Sequence, residues 1–74
     1  MIELDARGLS CPIPVVKADK AIREHPGVEL AVLVDSEVSR ENVTRLADSH
    51  GYQVETIRRA DEYRLVLRPA REAT

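Results

Sequence analysis

The sequence contains neither Phe nor Trp, and its aromatics are Tyr52 and Tyr63 alone. Without large rings the core must be built from Val, Leu, Ile and Ala, and a small aliphatic core leaves a domain little stability to lose. Stacking aromatics are scarce and a basic stripe is missing, which disfavours nucleic-acid binding. Charge of neither sign dominates: 11 basic and 13 acidic residues are mixed along the chain, for a net charge of −2. No apolar run approaches the ~18 residues that cross a membrane. Met1-Ile2-Glu3-Leu4-Asp5 has neither the basic start nor the apolar stretch of a secretory leader. A cytoplasmic protein without membrane contact is expected. The sharpest shortage is cysteine, of which Cys11 is the single example. One cysteine excludes an internal disulfide, and with it any chemistry that keeps a resolving thiol in the same chain. His25 and His50 fall in no ligand cluster, so neither a metal nor a cofactor is expected. His25 reads as a solvated helix end and His50 as a residue packing at the core edge.

At 74 residues the chain has room for one core, so residues 1–74 are read as a single domain with a frayed tail from about residue 69. Ile2-Glu3-Leu4-Asp5 alternates apolar and polar residues, which marks a short strand with Ile2 and Leu4 on one face. The loop that follows contains Gly8, free to take the positive φ of a tight turn. From about Pro12 to Glu24, residues Pro14, Val15, Ala18, Ala21 and Ile22 fall on one side of a helix, with Lys17, Lys20, Arg23 and Glu24 opposite. His25-Pro26-Gly27 stops it. Glu29–Asp35 carries five consecutive apolar residues and reads as a central strand.

Ser36-Glu37-Val38 is read as a connector and Ser39 as the N-cap of a second helix, from about Arg40 to His50, with Gly51 at the C′ position. Tyr52–Arg58 and Tyr63–Arg68 read as an antiparallel hairpin across Ala60-Asp61-Glu62. Val54 and Ile57 break strict alternation, so a bulge is expected near Glu55-Thr56. The pattern β-α-β-α-β-β, with one apolar face per helix, predicts an α/β (α+β) two-layer sandwich: a four-stranded mixed sheet with both helices on one face.

Cys11 stands in Cys11-Pro12-Ile13-Pro14, where the helix is expected to begin. Pro suits the first helical turn because its missing N–H needs no partner there. That places Cys11 at the N-cap, where the positive end of the helix favours a thiolate. Pro12 and Pro14 remove two donors and stiffen the turn, leaving chiefly the Ile13 N–H to face the sulfur. The competing reading is a buried cysteine acting as a small hydrophobe. Ile13 and Val16 lie off the apolar stripe, toward Lys17 and Lys20. Beside a reactive thiol they suggest a docking patch for a protein partner, although single exposed aliphatics also occur without a role. Arg58, Arg59, Arg64 and Arg68 near the hairpin form either a modest basic patch or a solvated face.

Asp5-x-x-Gly8-x-x-Cys11-Pro12-x-Pro14, followed by a Lys-containing amphipathic helix, resembles the TusA-like family of small sulfur carriers, also called SirA-like or YedF-like. Length and element order agree over nearly the whole chain. Val34-Asp35-Ser36-Glu37-Val38-Ser39-Arg40-Glu41-Asn42-Val43 and Gly51-Tyr52 most resemble the YedF branch, some members of which are linked to selenium metabolism. The resemblance implies that Cys11 takes a sulfane sulfur from a donor such as a cysteine desulfurase, holds it as a persulfide and passes it to an acceptor protein. It implies that Pro12 and Pro14 shape the cap, that Gly8 permits the turn and that Asp5 ties down the loop. Such a protein is expected to be a monomeric carrier rather than a stand-alone catalyst. The competing functions are a selenium-metabolism or thiol-redox regulatory module acting through Cys11, and a non-catalytic interaction module.

Overall fold

The computed structural model describes residues 2–9 and 13–69. The elements follow the expected order: β1 (Ile2–Asp5), α1 (Ile13–Glu24), β2 (Leu30–Val34), α2 (Glu37–Ser49), β3 (Tyr52–Arg59) and β4 (Glu62–Pro69). They build one mixed sheet in the order β1-β2-β4-β3. β1 runs parallel to β2, with Ile2 opposite Leu30 and Asp5 opposite Leu33. β2 and β3 both pair antiparallel with β4. The five-residue apolar run Leu30–Val34 is therefore central, as its composition requires.

Register sorts the side chains. Leu30, Val32 and Val34 of β2 share a face with Leu65 and Leu67 of β4, and this face packs in one cluster with Ala18, Ala21 and Ile22 of α1 and Val43 and Ala47 of α2. Both helices thus cover one side of the sheet. Ile2 and Leu4 pack against the same cluster from the edge. On the opposite side, Ala31 and Val66 are also buried. Arg64 and Arg68 flank Val66 on that face. Arg64 is paired with Glu3 at 3.2 Å, and Arg68 with Glu29 at 2.7 Å and Glu55 at 3.0 Å. Arginine stems can shield apolar surface while their heads stay wet, and here the small Ala31 and Val66 lie beneath that ionic lattice.

Five expectations change. The second helix is capped by Ser36, whose Oγ accepts the Ser39 N–H at 3.1 Å. Ser39 itself is 4% exposed inside the helix, one turn before Val43 on the buried stripe. Ser36-Glu37-Val38 is therefore cap and first turn, not connector. The hairpin carries no bulge, since pairing runs without interruption from Tyr52↔Pro69 to Arg59↔Glu62. Val54 and Ile57 differ in phase because they point to opposite faces, Val54 toward the helices and Ile57 away. The turn shrinks to Ala60-Asp61, and Ala60 takes a positive φ of 53°, a region L-residues other than Gly seldom occupy. Pro69 belongs to β4 rather than to a tail, while residues 70–74 lie outside the described part. The fifth is His50: it is the C-cap of α2, and its Nε2 lies 3.2 Å from Asp19 Oδ1 on α1, so the ring joins the two helices instead of filling the core edge.

Candidate functional site

Parallel pairing puts the carboxyl ends of β1 and β2 at one end of the sheet. α1 and α2 each follow one of these strands, so both helices begin there. The segment leaving β1 is held from three sides. The Ala6 N–H donates to Leu33 C=O at 2.8 Å, continuing the ladder past Asp5, and Ala6 is buried. Asp5 Oδ1 accepts from the Arg7 N–H at 3.1 Å and Nε at 2.8 Å, while Oδ2 accepts from Nη2 at 2.8 Å. Arg7 Nη1 donates to Glu62 Oε2 at 2.9 Å, which ties this segment to the hairpin tip. Gly8 has φ +76°, and its N–H donates to Asp35 Oδ2 at 2.8 Å. Among the described residues no atom crowds the missing Cβ of Gly8, so it is the positive φ that calls for glycine there.

The electrostatics follow from these contacts. Hydrogen bonds from the Arg7 side chain and N–H, with a smaller contribution from the charge of Lys17, hold the Asp5 carboxyl at about 2, against 3.8 for an ordinary aspartate. Asp5 and Glu62 in turn raise the Arg7 guanidinium above its usual value. Asp5 therefore remains ionised and serves as an anchor, not as a proton donor.

Beyond the described gap, α1 opens at Ile13. Pro14 is fully buried, so its ring plugs the helix start into the core. The first turn of α1 contains no acidic residue, which leaves its positive end uncompensated from within the helix. Ile13 is 45% exposed and Val16 58%. Lys17 and Lys20 are exposed as well, Lys20 standing 4.0 Å from Glu24. Cys11 and Pro12 lie outside the described residues. The structure thus brings Asp5 and Gly8 into one pinned loop at the end where Ile13, Val16 and Lys17 begin α1, with Lys20 a turn further along.

Sequence reasoning missed four residues here: Arg7, Asp35, Glu62 and Val38. Asp35 had a signal, since a carboxylate directly after a strand parallel to β1 must sit beside the β1 exit. Val38 is 59% exposed in the first turn of α2, and mistaking that turn for a connector hid it. Arg7 and Glu62 are 55 residues apart, and nothing local announces their pairing. The expected arginine patch is largely committed elsewhere. Arg64 and Arg68 hold carboxylates on the open face, and the Arg58 guanidinium lies 5.9 Å from the centre of the Tyr63 ring, which Arg40 also approaches at 5.5 Å.

A four-stranded mixed sheet backed by two helices, with a pinned loop leading to a solitary thiol, defines a small α+β domain of the SirA-like kind. The chain belongs to the TusA family: the family model described as Sulfurtransferase TusA matches residues 2–68. It is 44% identical over 55 residues to a candidate sulfur carrier protein of Methanocaldococcus jannaschii, a match that covers 73% of each chain. It is also similar to the crystal structure of a SirA-like protein from Desulfitobacterium hafniense. That likeness has a TM-score of 0.86 and 38% identity, and covers 92% of this chain and 96% of the other. Among the described residues, no helix is long and apolar enough to cross a membrane.

Proposed function

We propose that this protein is a sulfur carrier that holds a persulfide on Cys11 and relays sulfur between a donor protein, such as a cysteine desulfurase, and an acceptor protein. The observation that carries the reading is the pinned loop. Asp5, Arg7, Gly8 and Asp35 fix the chain just before the thiol, and the family match covers the same residues. In the first transfer the Cys11 thiolate attacks the terminal sulfur of a donor persulfide. A new S–S bond forms on Cys11, the donor's S–S bond breaks, and the donor leaves as a thiolate. The acceptor thiolate then repeats the attack on the Cys11 persulfide. Each step exchanges one S–S bond for another and needs no outside oxidant or reductant.

Handover requires the two thiols to meet, so the surface around Cys11 must dock. Ile13 and Val16 supply exposed aliphatic contacts at the start of α1, and Val38 adds a third at the start of α2. Lys17 and Lys20 aid encounter with an acidic rim. The test is incubation with a cysteine desulfurase and cysteine, followed by intact mass. One added sulfur, about 32 Da, is expected on the thiolate-bearing protein and is lost on reduction. Cys11→Ser gains nothing while staying folded, and Ile13→Asp stays folded but loads slowly. A Cys11→Ser variant that still gains sulfur refutes the carrier reading. Normal loading of a folded Ile13→Asp removes the docking patch.

A further inference from the structure

β3 is an edge strand: among the described residues β4 is its one neighbour in the sheet. Its last five residues, Glu55-Thr56-Ile57-Arg58-Arg59, are all exposed. An open strand edge offers unpaired N–H and C=O groups to another chain, and proteins usually blunt such edges with charge. Charge blunts an edge only where like meets like. Here the order is acid, polar, apolar, base, base. Ile57, 37% exposed, stands at the centre, on the face away from the helices.

Consider two copies meeting edge to edge, antiparallel, about a two-fold axis through Ile57. Directly opposed residues then share a face of the joined sheet. Glu55 meets the second copy's Arg59, Arg59 meets its Glu55, Thr56 meets its Arg58, and the two Ile57 side chains face each other. Opposite charges and paired apolar residues across strands are both stabilising. The neighbouring two-fold registers lack this match. Centring on Thr56 sets Ile57 against the acid Glu55, and centring on Arg58 stacks that arginine on its own copy.

We propose that the free edge of β3 pairs with the β3 edge of a second copy of this chain, in the register centred on Ile57, to give a continuous eight-stranded sheet. The contact is isologous, as a two-fold dimer demands. It spans five residues, about 17 Å of strand, which falls short of the area of a standard stable interface. The dimer is therefore weak and concentration-dependent. β1 lies at the far edge of each sheet, so the backbone of both loops from Asp5 to Leu9 stays away from the junction, while the Arg7 side chain reaches toward it, to Glu62 opposite Arg59.

Sedimentation equilibrium on the intact chain, from about 10 μM to 1 mM, spans the range expected for so small an interface. The wild type is expected to shift from monomer to dimer across it, and less so in high salt. Glu55→Arg and Arg59→Glu each set two like-charge pairs against one another and should lower the association constant about tenfold or more. Both positions are exposed; Glu55 also holds Arg68 of its own chain at 3.0 Å, a pair that Glu55→Arg gives up, so circular dichroism checks that each variant folds. Mixing the two variants in equal amounts restores both opposite-charge pairs, so a heterodimer should form where neither variant associates alone. A wild type that stays monomeric at the highest concentration overturns the proposal. So does a Glu55→Arg variant that dimerises normally, or a mixture that remains monomeric.

Discussion

Arg7 divides its guanidinium between a carboxylate two residues away and another 55 residues away. The first contact makes the Asp5–Gly8 turn, and the second fixes it to the hairpin. Because the folded Asp5 carboxyl sits at about 2 and an ordinary one at 3.8, the tether is fully formed above the ordinary value. It is lost as pH falls through the folded value. A carboxyl-carbon NMR titration should give Asp5 a midpoint near 2, and Arg7→Ala should return it toward 3.8. A midpoint that ignores Arg7→Ala would show that the hydrogen bonds are not its cause. Gly8 was legible in the sequence because a polar, glycine-containing turn ahead of a helix is a local pattern, and Asp5 was legible through the family resemblance. Arg7 and Glu62 were not, because only the closed sheet brings them within reach.

At the level of elements, periodicity located all four strands and both helices, and it missed where local chemistry decides the ends. Ser36 and Ser39 both fit a cap by type. Ser36 stands two residues past the end of β2, while Ser39 is four residues before Val43 and so falls on the buried stripe. Ser36→Ala should cost about 1 kcal/mol, the usual worth of a serine N-cap, as read by urea denaturation. The bulge expected near Glu55 rested on the assumption that every apolar residue of β3 faces the core, and Ile57 does not. Ala60 carries a strained turn, with its φ of 53°. Placing an L-residue in the left-handed region costs about 1–2 kcal/mol, and glycine avoids this at the expense of a floppier unfolded chain. Ala60→Gly should therefore raise stability by about 0.5–1 kcal/mol. A thermal melt that moves down instead would show that the turn relaxes some other way.

For the molecule as a whole, the shortage of aromatics foretold an aliphatic core, and the packing of Leu30, Val32, Val34, Leu65 and Leu67 between sheet and helices is that core. The strand order β1-β2-β4-β3 was not legible, since no local pattern says that the hairpin enters the sheet by its second strand. Leu65 is fully buried in β4. Leu65→Ala should cost about 2–5 kcal/mol, close to the few kcal/mol that so small a core supplies. The variant should show little or no folded baseline in urea at room temperature, and a normal transition would mean the core collapses around the gap. Insertion of β4 between β2 and β3 also has a consequence for biosynthesis. On the ribosome β1, β2 and β3 are all made first, yet neither ladder of the hairpin strand exists until residues 62–69 have left the exit tunnel. β3 waits with no neighbour, and β2 with β1 alone. The sheet thus closes from the middle once β4 is available, so it is completed as a unit rather than strand by strand in the order of synthesis.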